Sequence, residues 1–329
     1  MRCLTLAEVM RDRGLDVAFA VAALTPSIER RLAAERIAVR WVDRASDDLA
    51  AATQAIARDL GANAIIVDGY HFSADWRLAL RGLGALVLAF QDQDDGVLLH
   101  ADLVLNAAAD PARDAHWRQA APTATFLAGP RYVLLRRELR LAMTMPSDPV
   151  GRRTSVLVTF GGADPAGLTL PVTAALHQRL GPEVALDVVI GGSVPEGEGL
   201  ALRVAALGAG IATHRDPLAM GPLMRRAGLA VSAAGGTIGE LAALGVPSLI
   251  AIVAENQLAG AAAAVADGWC EAFDARAPGI VAAMVDRAAA LWAHPMQREA
   301  MARRTEGRVD ADGAERVVDA LVRAMQTLW

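Results

Sequence analysis

Short apolar runs alternate with amphipathic stretches along nearly the whole chain. In the first half, runs at Val17–Ala22, Ala38–Val42, Ala64–Asp68, Ala85–Phe90 and Leu103–Leu105 have strand length and composition. Between them lie stretches with helical spacing, such as Asp47–Leu60 and Asp75–Leu83. The second half repeats the rhythm, with strands predicted at Ser155–Phe160, Ala185–Ile190, Ile211–Thr213, Leu229–Val231 and Pro247–Ile252, each followed by a helix. Strands that alternate with helices predict an α/β fold with parallel sheets and crossover helices. Near the C-terminus, Val317, Val318, Leu321, Val322 and Met325 give a helix over about Gly313–Leu328 one apolar face, suited to packing back across a two-lobed molecule.

The rhythm breaks at Met143–Thr154, where MTMPSDPVGRRT has two prolines, a glycine and two arginines and no apolar period. That stretch is read as an interdomain linker, with domains at 1–146 and 147–329. Residues 2–13 form a helical pattern closed by Gly14, yet no strand precedes it. A doubly wound fold normally places its first strand near the middle of the sheet, so the chain reads as one that lacks that strand.

Composition narrows the function classes. The 329 residues suit two domains, with 54% hydrophobic and 21% charged positions and a net charge of −5. No basic patch points to nucleic acid. The sequence has no lysine, which excludes P-loop, Schiff-base and pyridoxal-phosphate chemistry. Cys3 and Cys270 lack metal spacing and suit a reducing, cytoplasmic compartment. No apolar run reaches the length of a membrane span, and the N-terminus has no signal-peptide core.

Candidate chemistry gathers at glycine turns that follow strands. In VSAAGGTIGELAALGVPSLIAIVAENQ, Ser232, Gly235, Gly236 and Thr237 open a helix that carries Glu240. Backbone N–H groups there could hold a phosphate oxygen, and Glu240 could reach a sugar hydroxyl. The other reading is a tight turn in an ordinary α/β domain. The polar loop AENQ places the neutral amides of Asn256 and Gln257 beyond the next strand; Asn256 could also cap the following helix. A second turn, VLVTFGGADP, has Gly161 and Gly162 for backbone approach and Asp164 as cap of a helix beginning around Pro165. Neither turn fits a nicotinamide fingerprint. IIVDGYHF ends a strand with Asp68, Tyr70 and His71, where open sheets bind ligands. His214 follows a strand in HRDP, where its backbone could edge a nucleotide base, while the other histidines show no metal or triad spacing. QDQDDG at Gln91–Gly96 lacks calcium-loop spacing and reads as a turn.

In order along the chain, MRCLTLAEVMRDRG, VDGYHF, HADLVLN, LAGPRYVLLRREL, VTFGGADP and SAAGGTIGELAALGVPSLIAIVAENQ resemble the UDP-sugar hydrolases of pseudaminic acid biosynthesis, relatives of MurG-like glycosyltransferases. The resemblance implies two Rossmann-like lobes in a GT-B glycosyltransferase-like fold, with a cleft between them. It implies hydrolysis of a UDP-linked diacetamido-trideoxy sugar to UDP and free sugar, for flagellin or surface glycans. Glu240 matches the ribose-binding glutamate; Ser232, Gly235, Gly236 and Thr237 match a phosphate-facing turn; Gly161, Gly162 and Asp164 match the other turn. Tyr70 and Asn256 match polar residues around the sugar and are the catalytic candidates, with His214 and Gln257 as further UDP contacts. The family's G-x-G-H turn ahead of MRCL is absent, so a start placed too late or a shortened paralogue is expected, with low hydrolase activity. Two alternatives are a GT-B glycosyltransferase using the same UDP site and a non-catalytic UDP-sugar-binding protein. The expected partner is a UDP-sugar, with no cofactor, metal, nucleic acid or membrane span, and the chain is expected to be a monomer.

Overall fold

The structure, a computed structural model, describes residues 1–43, 48–69, 71–92, 96–108 and 117–327. The chain divides into two compact units. One comprises residues 1–136 with 312–329, the other residues 137–311.

In the first unit the elements are α1 (Arg2–Asp12), β1 (Ala18–Val21), α2 (Pro26–Ala34), β2 (Ala38–Trp41), α3 (Leu49–Asp59), β3 (Ala64–Val67), α4 (Ala74–Arg81), β4 (Leu86–Phe90), β5 (Leu103–Asn106), α5 (Trp117–Ala120) and β6 (Thr125–Ala128). The strands form two separate parallel pieces, β1-β2 and β3-β4-β5-β6. β4 is buried along its length and shows why the run LVLAF contains no polar position: both faces are covered. Leu86, Leu88 and Phe90 face a cluster with Leu6, Val9 and Met10 of α1, while Val87 and Ala89 face Leu80 of α4. Leu4 and Ala7 of α1 join a second cluster with Leu32 and Ile37, on the side of β1-β2. One helix therefore serves both pieces of the sheet.

The second unit holds α6 (Arg137–Thr144), β7 (Ser155–Thr159), α7 (Thr169–Leu180), β8 (Ala185–Ile190), α8 (Gly197–Ala205), β9 (Ile211–Arg215), α9 (Gly221–Arg226), β10 (Ala227–Ala233), α10 (Thr237–Ala243), β11 (Ser248–Ile252), α11 (Leu258–Asp267), β12 (Cys270–Asp274), α12 (Ile280–Trp292) and α13 (Pro295–Arg303). Its parallel sheet has the order β12-β11-β10-β7-β8-β9. Alternate residues of the central strands, including Val156, Val158, Leu186, Val188, Leu229 and Val231, pack against Val172 and Leu176 of α7 and Met284 and Ala288 of α12. α6 belongs to this unit: both carboxylate oxygens of Glu138 accept N–H groups at the start of α9, from Met220 at 3.1 Å and Gly221 at 2.9 Å.

The final helix, α14 (Gly313–Thr327), returns to the first unit. Val317, Val318 and Leu321 are buried in the cluster of β4 and α1, as their spacing required. Arg13 ties α1 to Glu315 and, at 2.6 Å, to Asp319. No helix among the described residues is long and apolar enough to cross a membrane.

Candidate nucleotide site at the glycine turns

The second unit's sheet has a switch point. From β7 the chain winds outward through β8 and β9, then returns to the other side of β7 and winds outward through β10, β11 and β12. Crossover helices leave such neighbours in opposite directions, which opens a crevice beyond the C-terminal ends of the two strands. Here those strands are β7 and β10, paired in register from Leu229 with Val156 to Ser232 with Thr159. Each is followed directly by a pair of glycines, Gly161–Gly162 after β7 and Gly235–Gly236 after β10. Nothing stands within 4 Å of the position a Cβ would take at any of the four. Gly161 has φ +77°, a conformation that favours glycine, so the turn after β7 needs it for its backbone as well as for access.

The surrounding residues fall into those brought to this edge and those held elsewhere. β11 lies beside β10, so Val253–Gln257 sits at the same end of the sheet. Asn256 is half-buried in a 3-10 turn over Glu255–Gln257. The side-chain oxygen of Gln257 accepts the Val253 N–H at 2.9 Å, which ties the loop to itself. α11 begins at Leu258, with Gln257 at its N-cap position and no cap from the Gln257 side chain. Thr237 and Glu240 lie in the first turn of α10, both half-buried.

Asp164 acts through the helix behind the turn. Its two carboxylate oxygens accept the N–H groups of Leu168 at 2.9 Å and Thr169 at 3.0 Å. The helix it serves starts at Thr169, not near Pro165 as the sequence suggested, because Asp164 itself adopts φ +43° and Gly167 φ +63°. The chain needs those extra residues to turn before it can wind. The hydroxyl of Ser232 is fully buried and donates to the Ala233 carbonyl at 3.2 Å.

His214 points the other way along the sheet. Its Nε2 lies 2.9 Å from Oδ1 of Asp187, which also takes a two-pronged bond from Arg226, the last residue of α9 before β10 begins. Burial alone would raise the pKa of Asp187; the bonds from Arg226 and His214 outweigh it and hold the carboxyl below its ordinary range. The cluster joins mid-strand Asp187 to the start of β10, while His214 itself stands opposite Val189, in line with Thr159 of β7. Tyr70 falls outside the described residues, as does part of the Gln91–Gly96 stretch. Asp68, its neighbour along the chain, pairs at the end of β3 with Arg2, which also reaches Asp92 at 2.9 Å.

A third turn escaped the sequence reading. Gly191, after β8, lies against the β7 turn: a Cβ there would stand 2.5 Å from the carbonyl carbon of Gly162 and closer still to the oxygens of Gly161 and Gly162. The Ser193 N–H donates to the Gly162 carbonyl at 2.9 Å. The available signal was a further glycine pair at the end of a predicted strand.

The site therefore offers backbone N–H groups in open space, neutral amides and one carboxylate. Such a set suits holding phosphate and hydroxyl oxygens more than proton transfer. Among the described residues no group of three or more His, Cys, Asp or Glu could hold a metal ion.

No family model matches the chain. An uncharacterized protein of Methanocaldococcus jannaschii, MJ1062, is 23% identical over 206 residues, 61% of this chain; the match spans 42% of that relative's length. Solved structures match over far more of the molecule. MnaA of S. aureus, determined with UDP, shares 12% identity at a TM-score of 0.69, with 100% of this chain and 94% of that one covered. MurG of Acinetobacter baumannii shares 16% at 0.66, covering 98% and 95%. HepE of Anabaena, solved with UDP and glucose, shares 14% at 0.62, covering 98% and 95%. The two-lobe α/β architecture with parallel sheets is that of the GT-B glycosyltransferase-like fold.

Proposed function

We propose that the chain is an enzyme acting on a UDP-sugar, with the UDP held at the glycine turns of the second unit and the sugar passed to an acceptor, as in the GT-B glycosyltransferase class. The observation that carries the reading is the pair of unobstructed glycine turns flanking the β7/β10 switch point. Gly161, Gly162, Gly235, Gly236 and Thr237 would present N–H groups to the diphosphate, and Glu240 would accept from a ribose hydroxyl. Asp164 would stiffen the first turn through α7, and Asn256 and Gln257 would line the adjoining loop. In such a transfer an acceptor oxygen bonds to the anomeric carbon while the bond to the diphosphate oxygen breaks and its electron pair leaves with UDP. Fixed N–H dipoles favour that step because negative charge grows on the leaving phosphate. The UDP in the MnaA and HepE structures supports this choice of nucleotide.

Hydrolysis is the second reading, favoured by the ordered run from HADLVLN to the ENQ loop. It differs only in the acceptor, which is water. Product analysis separates the two. Incubation with UDP-sugars and candidate acceptors should give UDP with a glycosylated acceptor. Free sugar with UDP would replace transfer by hydrolysis, and tight UDP binding with no turnover would leave a binding protein.

A further inference from the structure

We infer that Gly191 is a positioning residue for the phosphate-facing turn after β7, and that it acts by setting the direction of the Gly162–Ala163 peptide group without itself meeting the ligand. The inference rests on the reading of that turn as a diphosphate site.

The carbonyl oxygens of Gly161 and Gly162 both lie where a Cβ of residue 191 would stand. Only glycine lets the two turns close to this distance, and the Ser193 N–H then holds the Gly162 oxygen at 2.9 Å. A trans peptide points its N–H opposite to its C=O, and none of the described peptide bonds is cis. The Gly162 carbonyl accepts from Ser193 in the turn after β8, so the Ala163 N–H, on the opposite edge of the same peptide, aims away from that turn. β8 and β10 flank β7 on opposite sides. The Ala163 N–H is thus turned from β8 toward the side where Gly235 and Gly236 border open space. A side chain at 191 would force the Gly162–Ala163 peptide to shift and strain the Ser193 bond that holds it, and Gly162 is among the residues least able to resist.

A second feature separates this role from simple packing. Gly199, in α8, has a Cβ position that meets only the end of the Arg203 side chain, at 3.7 Å. It is a glycine of the same region with room for a methyl group, and a fitting control.

The test uses calorimetric affinities for UDP and for uridine, which lacks the diphosphate, together with thermal melts. Gly191→Ala should lower the ratio of UDP to uridine affinity by about tenfold or more, the size expected when hydrogen bonds to a charged group are misaligned. Ser193→Pro removes the N–H that holds the Gly162 carbonyl without adding a Cβ at 191, and should lower the same ratio by a smaller factor. It decides the matter if Gly191→Ala does not fold. Gly199→Ala should leave the ratio unchanged. A purely structural role would lower the melting temperature of both variants while sparing the ratio, and that result would overturn the inference alone. A wild-type chain that binds UDP no better than uridine would overturn the phosphate reading of the turn and the inference with it.

Discussion

Glu240 is the residue on which the nucleotide reading depends most. It stands half-buried in the first turn of α10, one turn behind the open glycines. If it holds a ribose hydroxyl, Glu240→Ala should weaken UDP binding by about 10- to 100-fold, as for one hydrogen bond to a charged acceptor. Stability should move by no more than about 1 kcal/mol, since the site is not in the core. Unchanged affinity would remove the residue from the site. The glycine pairs at 161–162 and 235–236 were legible in the sequence because each follows a short strand-like apolar run. Gly191 was not, because its role is a contact between two turns thirty residues apart, and sequence spacing carries no record of which turns touch. The side-chain direction of His214 was hidden for the same reason. Its partner, Asp187, lies within an apolar strand and its other neighbour, Arg226, at the end of a later helix.

At the scale of elements, that cluster joins β8, β9 and α9. A carboxyl whose folded pKa is depressed adds stability above the unfolded value, which is lost as pH falls through the folded one. With an unfolded carboxyl near 3.9, wild-type stability in urea should be at full strength above about pH 5 and decline below about pH 4. Asp187→Asn should be less stable at neutral pH and should show a shallower acid decline; matching slopes would assign the acid loss to other carboxylates. Nine-tenths of the side chain of Asp187 is out of solvent while Arg226 is half exposed, so the cost at neutral pH should fall near the lower part of the 3–5 kcal/mol range for broken buried pairs, at about 3 kcal/mol or less. Elements with dense apolar patterns were read nearly to the residue, as with β7 and β8. β12 was missed because CEAFD carries an acid at its second and last positions, and β6 because TFLA is too short to show a period. α6 was hidden beside the proline-rich stretch; it is recognised only once Glu138 is seen capping α9.

At the scale of the molecule, the alternation of strand and helix announced an α/β chain, and the solved structures it matches share that architecture over nearly all of it. Sequence patterning could not report that the first unit's strands form two pieces bridged by α1, or that α14 completes the core of that unit. Both facts depend on which surfaces meet after the chain has folded. The proposed function turns on whether UDP binds at the turns after β7 and β10. The most direct measurement is backbone amide exchange with and without saturating UDP. Protection should rise in peptides covering Gly161–Ala163 and Gly235–Glu240, with little change around mid-strand Asp187. Saturation without added protection at either turn, or protection confined to another part of the chain, would contradict the account.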